Sequence, residues 1–217
     1  MSNEPKAAVL LPDGESYAII PHFPMGIVTP NDLRTIAGLA EKYQLPALKL
    51  TTASRIALVG LKKDQVSAAW DAIGREPGGG GNCVRSLKAC PGVSLCTRGK
   101  QDSLAMGEKL DAEFHARKLP GKMKLAVSGC PFNCAQAPVK DIGLVGKKRG
   151  WTVLAGGSAG LKPRLADEIA TGLSDDDAYG MVESLISFYE KNCKSGERMG
   201  NMIERIGLYA VKAAVAG

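Results

Sequence analysis

The sequence predicts an α+β protein of two domains, and two observations lead to this prediction. Strand-like and helix-like hydrophobic patterns alternate along the first 76 residues, and the stretch PGGGG at 77–81 separates them from a segment that holds all six cysteines. Four consecutive glycines cost too much backbone entropy to lie inside a helix or a strand. We therefore expect a first domain over residues 1–76, a flexible linker over 77–81 and a second domain over 82–217.

The first domain is predicted to begin with two strands and a helix. Short apolar runs at 7–11 and 16–20 flank a Pro-Asp-Gly turn signal at 12–14. Thr29 followed by Pro30 is typical of a helix start, because a threonine hydroxyl caps free backbone amides and proline suits the first helical turn.

Two more strands and a second helix are predicted to complete this domain. Residues 48–59 alternate as strands do, and residues 62–73 repeat with helical spacing. Two helices on one face of a small mixed sheet form a ferredoxin-like half domain. One strand face would carry Leu48, Leu50, Ile56 and Leu58, and the other Lys49, Thr51, Arg55 and Ala57. If the helices cover the apolar face, the basic face is open to an anion; a solvated sheet face is the alternative.

The second domain is predicted to be an α/β domain. Asp102 and Ser174 each precede a stretch with helical character, and such side chains satisfy the free amides of a first helical turn. The predicted elements are a helix from Asp102 to about 117, a strand at 123–127, a hairpin of 142–145 and 151–155, a short helix at 165–170, a helix capped by Ser174 and a final helix over 198–215.

Composition narrows the class of protein and of partner. The chain has 217 residues with 28 lysines and arginines against 22 acidic residues, a net charge of +6, and a pI near 9.0. Such an excess suits an anionic partner, whether nucleic acid, phosphate or a polycarboxylate. Only 5% of residues are aromatic, which weakens models in which bases stack on side chains. The amino-terminal sequence shows no export signal and no apolar run is long enough to span a bilayer. We expect a cytoplasmic protein without a membrane or nucleic-acid partner.

Four of the six cysteines form two local pairs. Five residues separate Cys90 from Cys96, and three separate Cys130 from Cys134. In a reducing compartment such thiols are metal ligands or redox groups rather than disulfides. Four thiolates in two loops suit a 4Fe–4S cluster. Structural zinc, whose ligand loops are usually shorter, and buried or redox thiols are the alternatives. Cys83 and Cys193 lie outside this pattern.

The segment SGCPFNCAQAPVKDIGL, residues 128–144, resembles the iron–sulfur and sirohaem signature of nitrite and sulfite reductases. The stretches CTRGKQDSLAMGEKL, LKLTTASRIALVGL and ERMGNMIERIG resemble further parts of that family. The resemblance implies that Cys90, Cys96, Cys130 and Cys134 hold a 4Fe–4S cluster and that Cys134 also bridges to the iron of sirohaem. It implies a six-electron reduction of sulfite to sulfide or of nitrite to ammonia.

The resemblance also implies candidate substrate-site residues. Lys122 and Lys124, in a Leu-Pro-x-Lys-x-Lys setting, are similar to lysines that contact the substrate anion and are candidate proton donors; a solvated strand end is the alternative. Arg55 resembles an active-site or sirohaem-binding arginine, although larger sulfite reductases have Thr-x-Arg-Gln where this chain has Thr-Thr-Ala-Ser-Arg. His22 falls where larger relatives have a substrate-site arginine, and a structural histidine is the alternative.

Further residues are expected to contact the cofactors. Arg98 could pair with a sirohaem carboxylate or lie on the surface, and Asn133 lies inside the second cysteine loop. Gly156 and Gly157 follow a predicted strand, where they would let the backbone approach the macrocycle or form an ordinary turn.

The length of the chain predicts partners. Larger family members carry two copies of this unit and build the substrate site from both, whereas this chain has one. We therefore expect a homodimer and a separate ferredoxin-like or flavoprotein electron donor. The leading prediction is a sulfite reductase; the alternatives are a nitrite reductase, a sirohaem or electron-transfer protein without turnover, and a nucleic-acid-binding zinc protein.

Overall fold

A computed structural model describes residues 5–215 of the chain. The fold divides into two units, the first ending at Gly80 and the second beginning at Gly81. Within the described residues, no helix is both long enough and apolar enough to cross a membrane.

The first unit is a four-stranded sheet with two helices. The strands are β1 (Ala8–Leu10), β2 (Tyr17–Ile19), β3 (Ala47–Leu50) and β4 (Ile56–Leu61), and the helices are α1 (Pro30–Lys42) and α2 (Val66–Ile73). The strand order is β1-β2-β4-β3, and every neighbouring pair is antiparallel. The predicted element order is confirmed, but the mixed sheet is wrong, because no two neighbouring strands run parallel.

The apolar sides of the two helices pack against one side of this sheet. Their shared core consists of Tyr17, Ile19, Phe23, Ile36, Leu39, Leu58, Leu61, Val66 and Ala69. The start of α1 is a capping box, as Thr29 predicts: the amide of Asp32 donates to Thr29 Oγ1 at 3.1 Å, and the amide of Thr29 donates to Asp32 Oδ2 at 2.8 Å.

The predicted shared face of Leu48, Leu50, Ile56 and Leu58 is confirmed, but two other parts of the prediction for residues 48–59 are wrong. Leu48 pairs with Leu58 and Leu50 with Ile56, so these residues share a face, but β3 is an edge strand and Leu50 is 73% exposed. Residues between β3 and β4 form a turn, in which the Thr51 amide donates to Arg55 O at 2.8 Å. Arg55 therefore lies in a turn rather than on the polar face of a strand.

The second unit is a five-stranded sheet with helices. Its strands are β5 (Lys88–Ala89), β6 (Leu125–Ser128), β7 (Ile142–Lys147), β8 (Gly150–Ala155) and β9 (Asp167–Leu173), in this spatial order. The first three run parallel, and β8 and β9 are antiparallel to their neighbours. The helices are α3 (Gly92–Leu95), α4 (Ser103–Phe114), α5 (Asp175–Asn192), α6 (Met199–Ile206) and α7 (Leu208–Val215).

The predicted helix starts at Asp102 and Ser174 are confirmed. The Asp102 carboxylate accepts hydrogen bonds from two amides of the first turn of α4, and Ser174 Oγ accepts one from Asp177 at 3.1 Å. The hairpin β7–β8 also matches its prediction. Helix α5 packs on β8, where the buried Trp151 ring donates from Nε1 to Asp175 Oδ1 at 2.6 Å.

Two predicted helices in this unit are wrong. Residues 165–170 were expected to be helical, but β9 occupies Asp167–Leu173 and pairs with β8 from Ala155↔Asp167 to Trp151↔Leu173. The backbone groups of β8 gain partners in this way, and such pairing overrides a weak local helix preference. The final predicted helix is two helices, because Gly207 adopts φ 97° and ψ 133° between α6 and α7.

Candidate functional site

The four paired cysteines follow two neighbouring parallel strands. Cys90 comes directly after β5, and Cys130 comes two residues after β6. Ala89 of β5 pairs with Val127 of β6, so these strands end at the same edge of the sheet. Cys96 follows the short helix α3, which turns the chain back. The topology thus brings the loops of both cysteine pairs to one sheet edge.

Backbone hydrogen bonds tie these loops together at Gly129. The amides of Lys100 and Gln101 both donate to Gly129 O, at 2.8 and 3.1 Å. The Gly129 amide in turn donates to Cys90 Sγ at 3.0 Å. A Cβ on Gly129 would lie 2.7 Å from Gly92 Cα, so a side chain does not fit there. An amide directed at sulfur stabilises a thiolate and tunes the potential of a cluster that it ligates.

Cys90 is the buried member of the first pair. It packs against Ala126 of β6 and Ala135 of the second cysteine loop. Its Sγ lies 3.4 Å from Ser103 Oγ, and that hydroxyl donates to Cys90 O at 2.7 Å. The start of α4 therefore holds this cysteine against the sheet.

The second cysteine loop leaves one thiol exposed and one polar atom without a partner. Cys130 is buried and Cys134 is exposed. Asn133 adopts φ 54° between them, and its amide nitrogen Nδ2 donates to Pro131 O at 3.3 Å. Among the described residues its Oδ1 is buried and has no hydrogen-bond partner. A buried acceptor of this kind, next to an exposed thiol, fits a site whose remaining partner is a bound group.

The thiol arrangement fits a cluster better than a single zinc ion. Tetrahedral zinc with bonds of about 2.3 Å would hold its sulfurs about 4 Å apart. No three cysteine sulfurs in the described part of the chain lie within 4.8 Å of one another. All six cysteines, which lie within that part, are free thiols. A soft four-thiol donor set spread more widely suits a cluster with several iron atoms between the ligands.

A group of cations lies around Lys122 and Lys124. Partial burial lowers the pKa of Lys122, and the positive charges of Lys124, Arg198 and Arg85 lower it further. Partial burial also lowers the pKa of Lys140, with contributions from Lys88 and Lys124. Asp141 is the carboxylate that opposes both shifts. We call these residues the cation cluster: Arg85, Lys88, Lys122, Lys124, Lys140 and Arg198. Positive charges close enough to lower the pKa values of Lys122 and Lys140 form a region that favours anions.

Two members of the cation cluster, Lys88 and Lys124, share the sheet face on which Cys90 packs. Lys88 pairs with Ala126, the residue that packs on Cys90, and Lys124 lies two residues before Ala126 on the same face. Lys88 Nζ donates to Gln136 Oε1 at 3.3 Å, which links the cluster to the second cysteine loop. Sequence reasoning found Lys122 and Lys124 but missed Arg85, Lys88, Lys140 and Arg198. The position of Lys88 two residues before Cys90 was the available signal.

Arg98 lies between the two cysteine loops. Its guanidinium stacks over the Phe132 ring, with Cζ 5.1 Å from the ring centroid. Phe132 is 70% exposed and lies between Cys130 and Cys134. The predicted pairing of Arg98 with a sirohaem carboxylate stays a prediction.

Gly156 and Gly157 follow β8, as predicted, and pack closely against the protein's own chain. Gly156 adopts φ 86°, and a Cβ there would lie 2.8 Å from Ile203 Cδ1. A Cβ on Gly157 would lie 2.7 Å from Lys140 O. These contacts alone require glycine, so a role for them in cofactor binding stays a prediction.

The two candidate residues of the first unit are also held by backbone groups. Arg55 Nη1 donates to Gly78 O at 2.8 Å. His22 is buried, and its backbone amide donates to Glu76 O at 2.8 Å. Their predicted roles at the substrate site stay predictions.

Comparison with known proteins identifies the family to which the chain is similar. Residues 80–217 match the family model of the nitrite and sulphite reductase 4Fe-4S domain, and residues 10–75 match that of the nitrite/sulfite reductase ferredoxin-like half domain. An assimilatory-type sulfite reductase of Nitratidesulfovibrio vulgaris is 39% identical over 218 residues, covering 100% of both chains. A nitrite reductase [NAD(P)H] of Bacillus subtilis is 33% identical, with 98% of this chain matched to 26% of the relative.

Solved structures share the fold at low identity. A crystal structure of dissimilatory sulfite reductase I gives a TM-score of 0.80 at 14% identity, covering 92% of this chain and 69% of the other. The Mycobacterium tuberculosis NirA protein gives 0.79 at 14% identity, covering 92% and 39%. One matched family model is the ferredoxin-like half domain and the other is the 4Fe-4S domain, and together with the sulfite reductase match they show that the chain belongs to the nitrite and sulfite reductase family.

Proposed function

We propose that this protein reduces sulfite to sulfide by six electrons, using a 4Fe–4S cluster and sirohaem. The observation that carries the proposal is the cation cluster, of which Lys88 and Lys124 lie on the sheet face where Cys90 packs. Arg198 of this cluster pairs with Asp141, which is the carboxylate that opposes the pKa shifts of Lys122 and Lys140. The excess of positive charge suits two anions, the polycarboxylate macrocycle and the small substrate.

The cysteine loops supply the ligands for the cofactors. Cys90, Cys96, Cys130 and Cys134 would hold the cluster, and Cys134, as the exposed thiol, would also reach the haem iron. When bound, the cluster would relay electrons from the donor, and sirohaem would supply the iron at which sulfite reacts. The Gly129 amide, directed at Cys90 Sγ, stabilises negative charge on that ligand.

The lysines act on the substrate anion. Lys122 and Lys124 alternate with buried residues along one strand direction, so both project from the same side of the segment. Their charges attract sulfite and favour the orientation in which its oxygens meet N–H donors. Reduction of sulfite consumes protons as its oxygens leave as water. Lys122, with its lowered pKa, gives up a proton more readily than an ordinary lysine.

Nitrite is a second candidate substrate. Nitrite reductases from Bacillus subtilis, Klebsiella oxytoca and Escherichia coli match nearly all of this chain at 30 to 33% identity. Each aligns over only 22 to 26% of its own length. The sulfite reductase match, in contrast, covers both chains fully, and this favours sulfite.

Partners and location complete the proposal. Electrons would come from a separate ferredoxin-like or flavoprotein donor. Two chains would pair around a twofold axis and complete each other's substrate site. We place the enzyme in the cytoplasm, where the thiol ligands stay reduced.

Anaerobic purification and assay test the function. The purified protein is expected to show sirohaem absorption bands and to contain iron and acid-labile sulfide. With a reduced dye as donor, we expect sulfide from sulfite with a higher kcat/KM than ammonia from nitrite. The reverse preference would make it a nitrite reductase. A cofactor-loaded protein that turns over neither anion would support the electron-transfer alternative.

A further inference from the structure

Asp141 is a buried carboxylate in which both oxygens are used. It is 1% exposed and lies one residue before β7. Arg198 grips it through two bonds, from Nε to Oδ1 at 2.9 Å and from Nη2 to Oδ2 at 2.6 Å. The backbone amide of Lys124 also donates to Oδ2, at 2.7 Å. Removing a buried carboxylate with these partners lowers the stability of the fold, because its hydrogen-bond donors are then left unsatisfied.

The carboxylate holds the peptide of a substrate-site lysine. The Lys124 amide is bound by Asp141, and the Lys124 carbonyl accepts a bond from the Ile142 amide at 3.3 Å. Both polar groups that flank the Lys124 side chain are therefore tied to the start of β7. In parallel strands the register Leu125↔Ile142 places Asp141 directly beside Lys124.

Backbone hydrogen bonds also hold other residues of the lysine segment, residues 120–124. Met123 donates to Cys83 O at 3.0 Å and accepts from the Arg85 amide at 2.9 Å. Pro120 O accepts from the Gly196 amide at 2.8 Å. These bonds hold the backbone at Pro120 and Met123, on either side of Lys122.

The turn that carries Arg198 is itself braced. Glu197 O accepts from Tyr189 Oη of α5 at 2.5 Å. The Glu197 carboxylate accepts two bonds from Arg205 of α6, at 2.9 and 2.7 Å. A continuous set of contacts thus runs from α6 through Glu197 and Arg198 to Asp141 and Lys124.

We propose that Asp141 and Arg198 are positioning residues that hold Lys122 and Lys124 in the arrangement that receives the substrate anion. This inference rests on the proposed function. The Asp141 carboxylate fixes the backbone of the lysine segment through the Lys124 amide, and Arg198 holds that carboxylate in place. Neither residue needs to touch the substrate.

The substitution Asp141→Asn tests the pair. Asparagine keeps the size but puts an NH2 group in place of one oxygen, so either the Lys124 amide or Arg198 Nε loses its acceptor. We expect the KM for sulfite and the dissociation constant of sulfite from the oxidised holoenzyme, measured by calorimetry, to rise roughly tenfold, with kcat less affected. Iron and sirohaem per chain should stay at the wild-type level.

Arg198→Lys and a matched control complete the design. Lysine keeps the charge but cannot form both hydrogen bonds to the carboxylate. We therefore expect a KM for sulfite between those of wild type and Asp141→Asn. This variant also tests the proposal if Asp141→Asn does not fold. Glu190→Gln removes a carboxylate that pairs with Arg117 elsewhere in this unit and should leave the KM unchanged.

The outcomes separate the two proposals. Folded, cofactor-loaded Asp141→Asn or Arg198→Lys protein with wild-type sulfite affinity would overturn the positioning role and leave a purely structural ion pair. A wild-type holoenzyme that reduces neither sulfite nor nitrite would instead overturn the proposed function.

Discussion

A methyl group on Gly129 should disrupt the cysteine loops. The Cβ of Gly129→Ala would lie 2.7 Å from Gly92 Cα, 2.8 Å from Gln101 O and 3.1 Å from Ser103 Oγ. Ordinary carbon contacts are about 3.5 to 4 Å, so two backbone segments must move apart. Overpacking of this kind costs about 1 to 3 kcal/mol of folding free energy. The movement also pulls the Gly129 amide away from Cys90 Sγ.

The assay has two parts and an internal control. Denaturant unfolding of the cofactor-free protein measures the free energy of unfolding, and iron per chain after reconstitution measures cluster binding. Gly180→Ala is the matched control, because Gly180 lies inside α5 and a Cβ there meets nothing within 4 Å. That variant should gain up to about 1 kcal/mol from helix propensity. Gly129→Ala protein with wild-type stability and iron content would refute the argument that the loops close on Gly129.

Four further predictions address the site. Cys134→Ser should abolish the spectroscopic coupling between cluster and haem while Cys193→Ser leaves it intact; an unchanged spectrum in the first variant would exclude Cys134 as the bridge. Lys122→Met should raise the KM for sulfite roughly tenfold, whereas Lys148→Met in the exposed β7–β8 turn should not, and equal effects would mean that only net charge matters. Because the pKa of Lys122 is lowered, its charge is present below that pKa and lost as the pH rises through it; sulfite affinity should therefore fall at a lower pH than the usual lysine range, and Lys122→Arg should move this fall upward. Light scattering of the loaded enzyme should give the mass of two chains, and a fully active monomer would contradict the shared-site proposal.

Local chemistry explains what could be predicted from the sequence. The cap residues Thr29, Asp102 and Ser174 each act on amides within three residues, so their helices could be located from sequence. The cysteine spacing also works locally, since each pair lies within one loop. The loops meet because β5 and β6 are parallel neighbours. From the sequence, only the resemblance to the family implied that the two cysteine pairs share one site.

Long-range pairing explains what could not be predicted. Strand β9 has a sequence with acidic residues and alanine that suits a helix, and only the free edge of β8 makes it a strand. The cation cluster assembles Lys88, Lys140 and Arg198 across more than a hundred residues of sequence. The contact between Arg198 and Asp141 spans 57 residues and has no local signal.

The stoichiometry of electrons to product tests the central claim most directly. Anaerobic holoenzyme, a known amount of reduced dye and excess sulfite should yield one sulfide for every six electrons consumed. The cysteine loops and the cation cluster predict sulfide in that ratio. They also predict that Lys122→Met protein forms less sulfide at low sulfite concentration and recovers at high sulfite concentration. Dye oxidation without sulfide, or a colourless protein that contains zinc in place of iron, would contradict the account.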